Sequence, residues 1–242
     1  MSPPHNILRF GLAVAMAATG LCLAGCARIP TADPPADTPD IPAQEAVLVI
    51  GDSIMAWNEA SGESVGNAID EASAMTAVTR AISGSRILAD GHDAIPNQYI
   101  AKPWAWVVLN GGGNDLLEAC SCDKCDSTLD ALIAPDGQSG GIPNLARRAT
   151  SLGSSVVIVG YFEALDTAAP PHGMCDDEIA ELTQRLTGLA SAIPQVFAVD
   201  GRELVTPSQP ALYDEDGIHP SPKGSASIAS QVARIINTAD SF

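Results

Sequence analysis

The 242-residue chain carries 12 basic against 29 acidic side chains, a formal charge of -17, with 46% hydrophobic but only 4% aromatic residues. That length suits one catalytic domain with a short appendage, and the aliphatic-rich composition excludes overall disorder. Without a basic stripe to neutralise phosphates, nucleic acid is excluded as a partner.

The chain opens as a targeting element: Arg9 leads into an apolar stretch over 11–24, too short to span a bilayer as a mature helix. It ends Leu23-Ala24-Gly25-Cys26, which resembles the bacterial lipoprotein signal. The resemblance implies removal of residues 1–25 and lipidation of Cys26. The protein would then be exported, anchored in the cell envelope and facing the periplasm. An ordinary secretory signal cut near Ala27 would also place it outside the cytosol. Residues 26–45 interleave Pro30, Pro34, Pro35, Pro39 and Pro42 with Asp33, Asp37 and Asp40, which cannot bury a core and read as a tether. Fully extended, it would reach roughly 60 Å. The folded domain is expected over 46–242.

From 46 onward, apolar runs alternate with stretches of helical spacing. The run 46–50 reads as a strand buried on both faces, and comparable runs lie at 75–81, 104–109, 155–159 and 195–199. Helices are expected over 54–71, 142–151, 176–190 and 222–238, the last with Ser221 as cap and Pro222 as first residue. This is the pattern of an α/β three-layer fold with five parallel strands. Its reactive groups should gather where the carboxyl ends of the strands meet the following loops.

The chemistry begins at Gly51-Asp52-Ser53-Ile54, directly after the first strand. A serine there projects its oxygen above the sheet edge, while its N–H faces outward at a helix N-terminus where negative charge is favoured. Taken alone, Ser53 could equally be a helix cap. Later strands end in Ile82-Ser83-Gly84-Ser85 and in Asn110-Gly111-Gly112-Gly113-Asn114-Asp115, both suited to binding an anion. Gly84, lacking a Cβ, lets its N–H approach closely, and Asn114 offers an amide. Each could also be a plain turn residue. The glycine run has no Gly-Lys-Ser or Gly-Lys-Thr after it, which excludes a nucleotide phosphate loop.

Near the C-terminus stands Asp216-Gly217-Ile218-His219-Pro220. In a turn, that spacing brings the carboxylate to Nδ1 and leaves Nε2 free to take a proton from serine. Pro220 biases His219 toward extended backbone, fixing the loop before the last helix. His92 and His172 are the competing bases, and neither sits at such a boundary. A Gly-x-Ser-x-Gly string at 62–66 would offer Ser64, but no apolar strand precedes it, so the elbow geometry is lacking.

Gly51-Asp52-Ser53, Gly84, Gly112-Gly113-Asn114-Asp115 and Asp216-Gly217-Ile218-His219 together resemble, in order, the motif blocks of the GDSL/SGNH hydrolase family. The resemblance covers nearly the whole domain. It implies a flavodoxin-like three-layer sandwich, with Ser53 as nucleophile and His219 as base oriented by Asp216. It further implies an oxyanion hole formed by Ser53, Gly84 and Asn114. The expected reaction is hydrolysis of small or medium acyl esters through an acyl-serine, with no cofactor. The family's breadth also allows a carbohydrate O-acetylesterase acting on envelope polysaccharide or an enzyme acting on lipid esters, and a non-catalytic envelope binding module is the alternative of a different class. Because imidazole must be neutral to act as base, activity is expected to fall on acidification.

Four cysteines follow the leader: Cys120, Cys122, Cys125 and Cys175. In an oxidising compartment they read as two disulfides of open connectivity, although Cys-x-Cys-x-x-Cys with a distant fourth could also hold zinc. Any complete pairing joins Cys175 to the 120–125 cluster and should stiffen the rim of the site. Trp57 is a candidate for lining a substrate groove, whereas Trp104 and Trp106 are expected to pack inside.

Overall fold

The computed structural model describes residues 46–168 and 175–239. The leader, Cys26, the tether and His172 lie outside the described residues.

Five strands, β1 (Ala46–Ile50), β2 (Thr76–Thr79), β3 (Trp106–Leu109), β4 (Ser155–Val159) and β5 (Val196–Val199), form one sheet in the order β2-β1-β3-β4-β5. Every neighbouring pair is parallel. Parallel strands cannot be joined by tight turns, and the crossovers cover both faces with helices, so the central strands are apolar on both sides. Leu48, Ile50, Val107, Leu109, Val156 and Ile158 point into one core. There they meet α3 (Ile95–Gln98), α4 (Gly113–Cys120), α5 (Asp126–Leu132), α6 (Gly141–Thr150) and α7 (Asp176–Ala192) through residues such as Ile95, Leu116, Leu132, Ile142 and Leu186. Val47, Val49, Trp106, Val108, Val157 and Val159 face the other core. It is closed by α1 (Ser53–Ala56), α2 (Val65–Ala72) and α8 (Pro222–Ala239) through Met55, Ile69, Ile228 and Val232. The period of two in the strands thus builds the three layers.

The chain runs from β1 outward to β2 and returns to place β3 on the other side of β1. The crevice at the carboxyl ends of β1 and β3 is therefore the topological switch point, where such folds bind ligands. Ser53 follows β1 and Asn114 follows β3.

The single helix expected over 54–71 is corrected. The chain forms α1, then a 3-10 turn at Glu59–Ser61, then α2. Asn58 and Gly62 take left-handed φ of 64° and 73°, which ends helical propagation. Ser64 then starts α2 with a capping box: its Oγ accepts from the N–H of Asn67, and the Asn67 side chain accepts from the N–H of Ser64. Ser221 caps α8 as expected, accepting from the N–H of Gly224 at 3.3 Å. Trp104 and Trp106 are buried, at 1% and 2% exposure. Among the described residues no helix is long and apolar enough to cross a membrane.

Candidate active site

Ser53 is the first residue of α1 and lines a cavity at the carboxyl edge of the sheet. Asn114, Ile218 and His219 line the same cavity, with Leu117, Tyr161, Phe162, Ala164 and Ile179 among its remaining walls. Three chain segments separated by 61 or more residues therefore converge on one space. Asp216 lies beside it: its Oδ2 meets His219 Nδ1 at 2.5 Å, and its Oδ1 accepts from the N–H groups of Ile218 and His219, each at 2.9 Å. Burial pushes the Asp216 carboxyl up, but the bonds from the His219 ring and the two backbone N–H groups outweigh it and hold it below the ordinary carboxylate range. An ionised carboxylate on Nδ1 leaves Nε2 for proton transfer.

The approach to Ser53 is held by buried polar contacts. Asp52, 1% exposed, caps α1 by accepting from the N–H of Ile54 at 3.0 Å. It also exchanges bonds with Asn110: Nδ2 of Asn110 donates to Asp52 at 2.7 Å, and the Asp52 N–H donates back to Asn110 Oδ1 at 3.1 Å. Gly51 must be glycine, because a Cβ there would collide with the Asn110 side chain. Tyr161 donates its hydroxyl proton to the other oxygen of Asp52 and accepts from the N–H of Gly113 at 2.9 Å. Burial pushes the Asp52 carboxyl above the ordinary range, against the bonds from Tyr161, Asn110 and Ile54 and the attraction of His219. Burial, with the Asp52 charge, holds the Tyr161 hydroxyl well above its ordinary value.

Gly84 does not line this cavity. It lies in the adjoining turn, where Ser85 donates to the Ile82 carbonyl at 3.1 Å and Gly84 has a φ of 78°, a left-handed conformation that accounts for glycine. The turn is nevertheless tied to the site. Asn114 Nδ2 donates to the Ser85 carbonyl at 3.1 Å. Asp115 accepts from the N–H groups of Ile87 and Leu88 at 2.9 and 2.8 Å. Asp115, the last residue of the Gly-Gly-Asn-Asp block, thus clamps the Gly84 loop against α4.

A family model described as GDSL-like lipase/acylhydrolase matches residues 49–226, well over half of the chain. The chain belongs to this family. No curated protein matches it. Among solved structures, a GDSL-like lipase from Bacteroides thetaiotaomicron is 20% identical with a TM-score of 0.56, covering 81% of this chain and 89% of its own. A G-D-S-L family protein from Desulfitobacterium hafniense is 13% identical with a TM-score of 0.60, over 79% and 99%. A carbohydrate esterase family 2 enzyme with a carbohydrate binding domain from Corynascus thermopiles (Myceliophthora fergusii) is 17% identical with a TM-score of 0.57, over 85% and 69%. At such identities the solved structures establish a shared fold.

Within this GDSL fold, Ser64 is occupied elsewhere: it is buried, caps α2, and its hydroxyl donates to Glu59 at 2.5 Å. His92 is an exposed residue paired with Asp93. The cysteines form Cys120–Cys125 and Cys122–Cys175 disulfides, and Cys175, directly before α7, lines the cavity. Sequence reasoning assigned no role to Tyr161. The signal was available, because Tyr161 lies two residues past β4, at the sheet edge where such sites assemble.

Proposed function

We propose that this GDSL-family protein is a serine hydrolase of carboxylic esters with small or medium acyl groups. The observation that carries the reading is the Asp216-paired imidazole of His219 lining the same cavity as Ser53 and Asn114. Ser53 Oγ attacks the ester carbonyl carbon while its proton passes to Nε2 of His219. The tetrahedral oxyanion accepts from the N–H of Ser53 and the amide of Asn114, while Gly84 shapes the adjoining turn that Asn114 ties down. Collapse expels the alcohol, which takes the proton from His219. Water, deprotonated by His219, then attacks the acyl-serine, and the carboxylic acid leaves as Ser53 regains its proton.

The walls formed by Leu117, Phe162, Ala164 and Ile179 favour an apolar acyl group. A second reading, deacetylation of a polysaccharide, draws support from the fold shared with the carbohydrate esterase family 2 enzyme. A panel of p-nitrophenyl esters of rising acyl length, run beside acetylated polysaccharide with Ser53→Ala as control, separates the two. Turnover of acetyl to octanoyl esters that vanishes in Ser53→Ala supports the first; release of acetate from polysaccharide alone supports the second. Equal turnover by Ser53→Ala would overturn both.

In the same proposal the protein works outside the cytosol, carried on lipidated Cys26. Its two disulfides support an oxidising compartment. Metabolic labelling with a clickable fatty acid, lost in Cys26→Ala, tests the anchor.

A further inference from the structure

Trp57 ends α1, and its N–H donates to the Ser53 carbonyl at 2.8 Å. Its indole lies flat on the imidazole of His219, with ring centroids 3.7 Å apart and planes 4° from parallel. The indole is itself held in place, because Nε1 donates to the carboxylate of Asp214. Asp214 in turn donates its N–H to the His219 carbonyl at 2.8 Å, closing the loop that bears Asp216 and His219. Next along the chain, Asn58 donates its side-chain amide to the Pro220 carbonyl at 2.9 Å. The segment leaving the nucleophile's helix therefore grips the base's loop on both sides of His219.

The hydrogen bond that His219 Nδ1 donates to Asp216 fixes one point of the imidazole but leaves the ring free to pivot about that bond. A flat partner removes the pivot. The face of an indole is also electron-rich, and donation of its N–H to a carboxylate increases that character, so the face attracts a cation laid against it. We propose that Trp57 is a positioning residue for His219, holding the ring plane so that Nε2 addresses Ser53 and seating the imidazolium that forms when the serine proton arrives. This rests on the hydrolase reading of Ser53 and His219. The charged groups acting on His219 are Asp216 on its own loop and Asp52 from the turn after β1, with Asp214 behind the indole.

The test combines kinetics across pH with tryptophan emission, on the folded chain starting after Cys26. Trp57→Leu should lower kcat roughly ten- to a hundredfold, the scale expected when a reacting group is misplaced, with KM changed by no more than about twofold. The acid limb of its kcat/KM profile should move to lower pH, because the imidazolium loses a favourable neighbour. Trp57→Phe, which keeps an aromatic face, should recover most of the rate. Trp57 is half-buried whereas Trp104 and Trp106 are enclosed, so emission of the wild type should rise as the imidazolium deprotonates. That rise should be absent from both Trp57→Phe and His219→Gln and retained in Ser53→Ala. A folded Trp57→Leu variant with unchanged kcat, or with reduced kcat and an unmoved acid limb, would overturn the proposal. So would an emission change that survives in His219→Gln. If Ser53→Ala kept full turnover, the hydrolase reading would fall, and the emission titration alone would decide whether Trp57 seats the imidazolium.

Discussion

The hydroxyl of Tyr161 bridges Asp52 and the backbone of Gly113, joining the residue before the nucleophile to the first residue of the helix that carries Asn114. Three strand ends, those of β1, β3 and β4, meet at this one oxygen. Tyr161→Phe removes a donor to a buried carboxylate and the acceptor of a backbone N–H. It should cost about 1.5–3 kcal/mol of stability, the range for hydrogen bonds to charged groups, and should lower kcat more than it raises KM. Urea denaturation with steady-state kinetics on the same preparation checks both.

Asp52 and Asp216 should give opposite slopes of stability with pH. The folded-state pKa of Asp52 is raised above 3.8, so the folded chain holds that proton more tightly than the unfolded one. Its ionisation therefore costs stability as pH rises from 3.8 through the folded value. Asp216 is depressed below 3.8, so its contribution is present above that pH and is lost as pH falls through its folded value. Relative to wild type, Asp52→Asn should gain stability as pH rises above 3.8, whereas the deficit of Asp216→Asn should shrink as pH falls below it. Urea midpoints measured from pH 3 to 7 provide the test; parallel curves for all three proteins would contradict these assignments.

Ser64→Ala should leave turnover unchanged and cost about 1 kcal/mol, the typical loss of a helix cap. Thermal melts and ester turnover on one preparation suffice. A large loss of activity at full stability would return Ser64 to candidacy.

Opening the Cys122–Cys175 bond should matter more than opening Cys120–Cys125. The first closes a sequence separation of 53 residues and the second one of 5. Loop-closure entropy gives about 4 kcal/mol for the longer and about 2 kcal/mol for the shorter. Because Cys175 lines the cavity, the Cys122→Ala/Cys175→Ala pair should also shift acyl-length preference. Chemical denaturation and the ester panel read these effects, and unchanged stability and preference would show that the staple does not shape the pocket.

The sheet was legible where both faces are buried. β1 and β4 have the bounds expected from their runs, because at least four successive buried apolar residues fill each. At the sheet edge, β2 is half-exposed and spans Thr76–Thr79, inside the expected 75–81. Short helices escaped notice: α4 begins in a glycine run and α5 in a cysteine loop, where pattern is weak. In the site, the Asp216 to His219 spacing was readable because the pair is local. The Tyr161 to Asp52 bond spans 109 positions and the Trp57 to His219 stack depends on where two loops come to rest, and no local pattern encodes either. The position of Gly84 beside the cavity, outside its lining, likewise follows from how Asn114 and Asp115 tie its turn down.

The most direct test is reaction of the folded protein with a fluorophosphonate, followed by intact mass and peptide mapping. One adduct is expected, on Ser53, absent from Ser53→Ala and strongly slowed in His219→Ala. A folded protein that stays unlabelled, or one that carries the label on Ser64, would contradict the assignment of nucleophile and base.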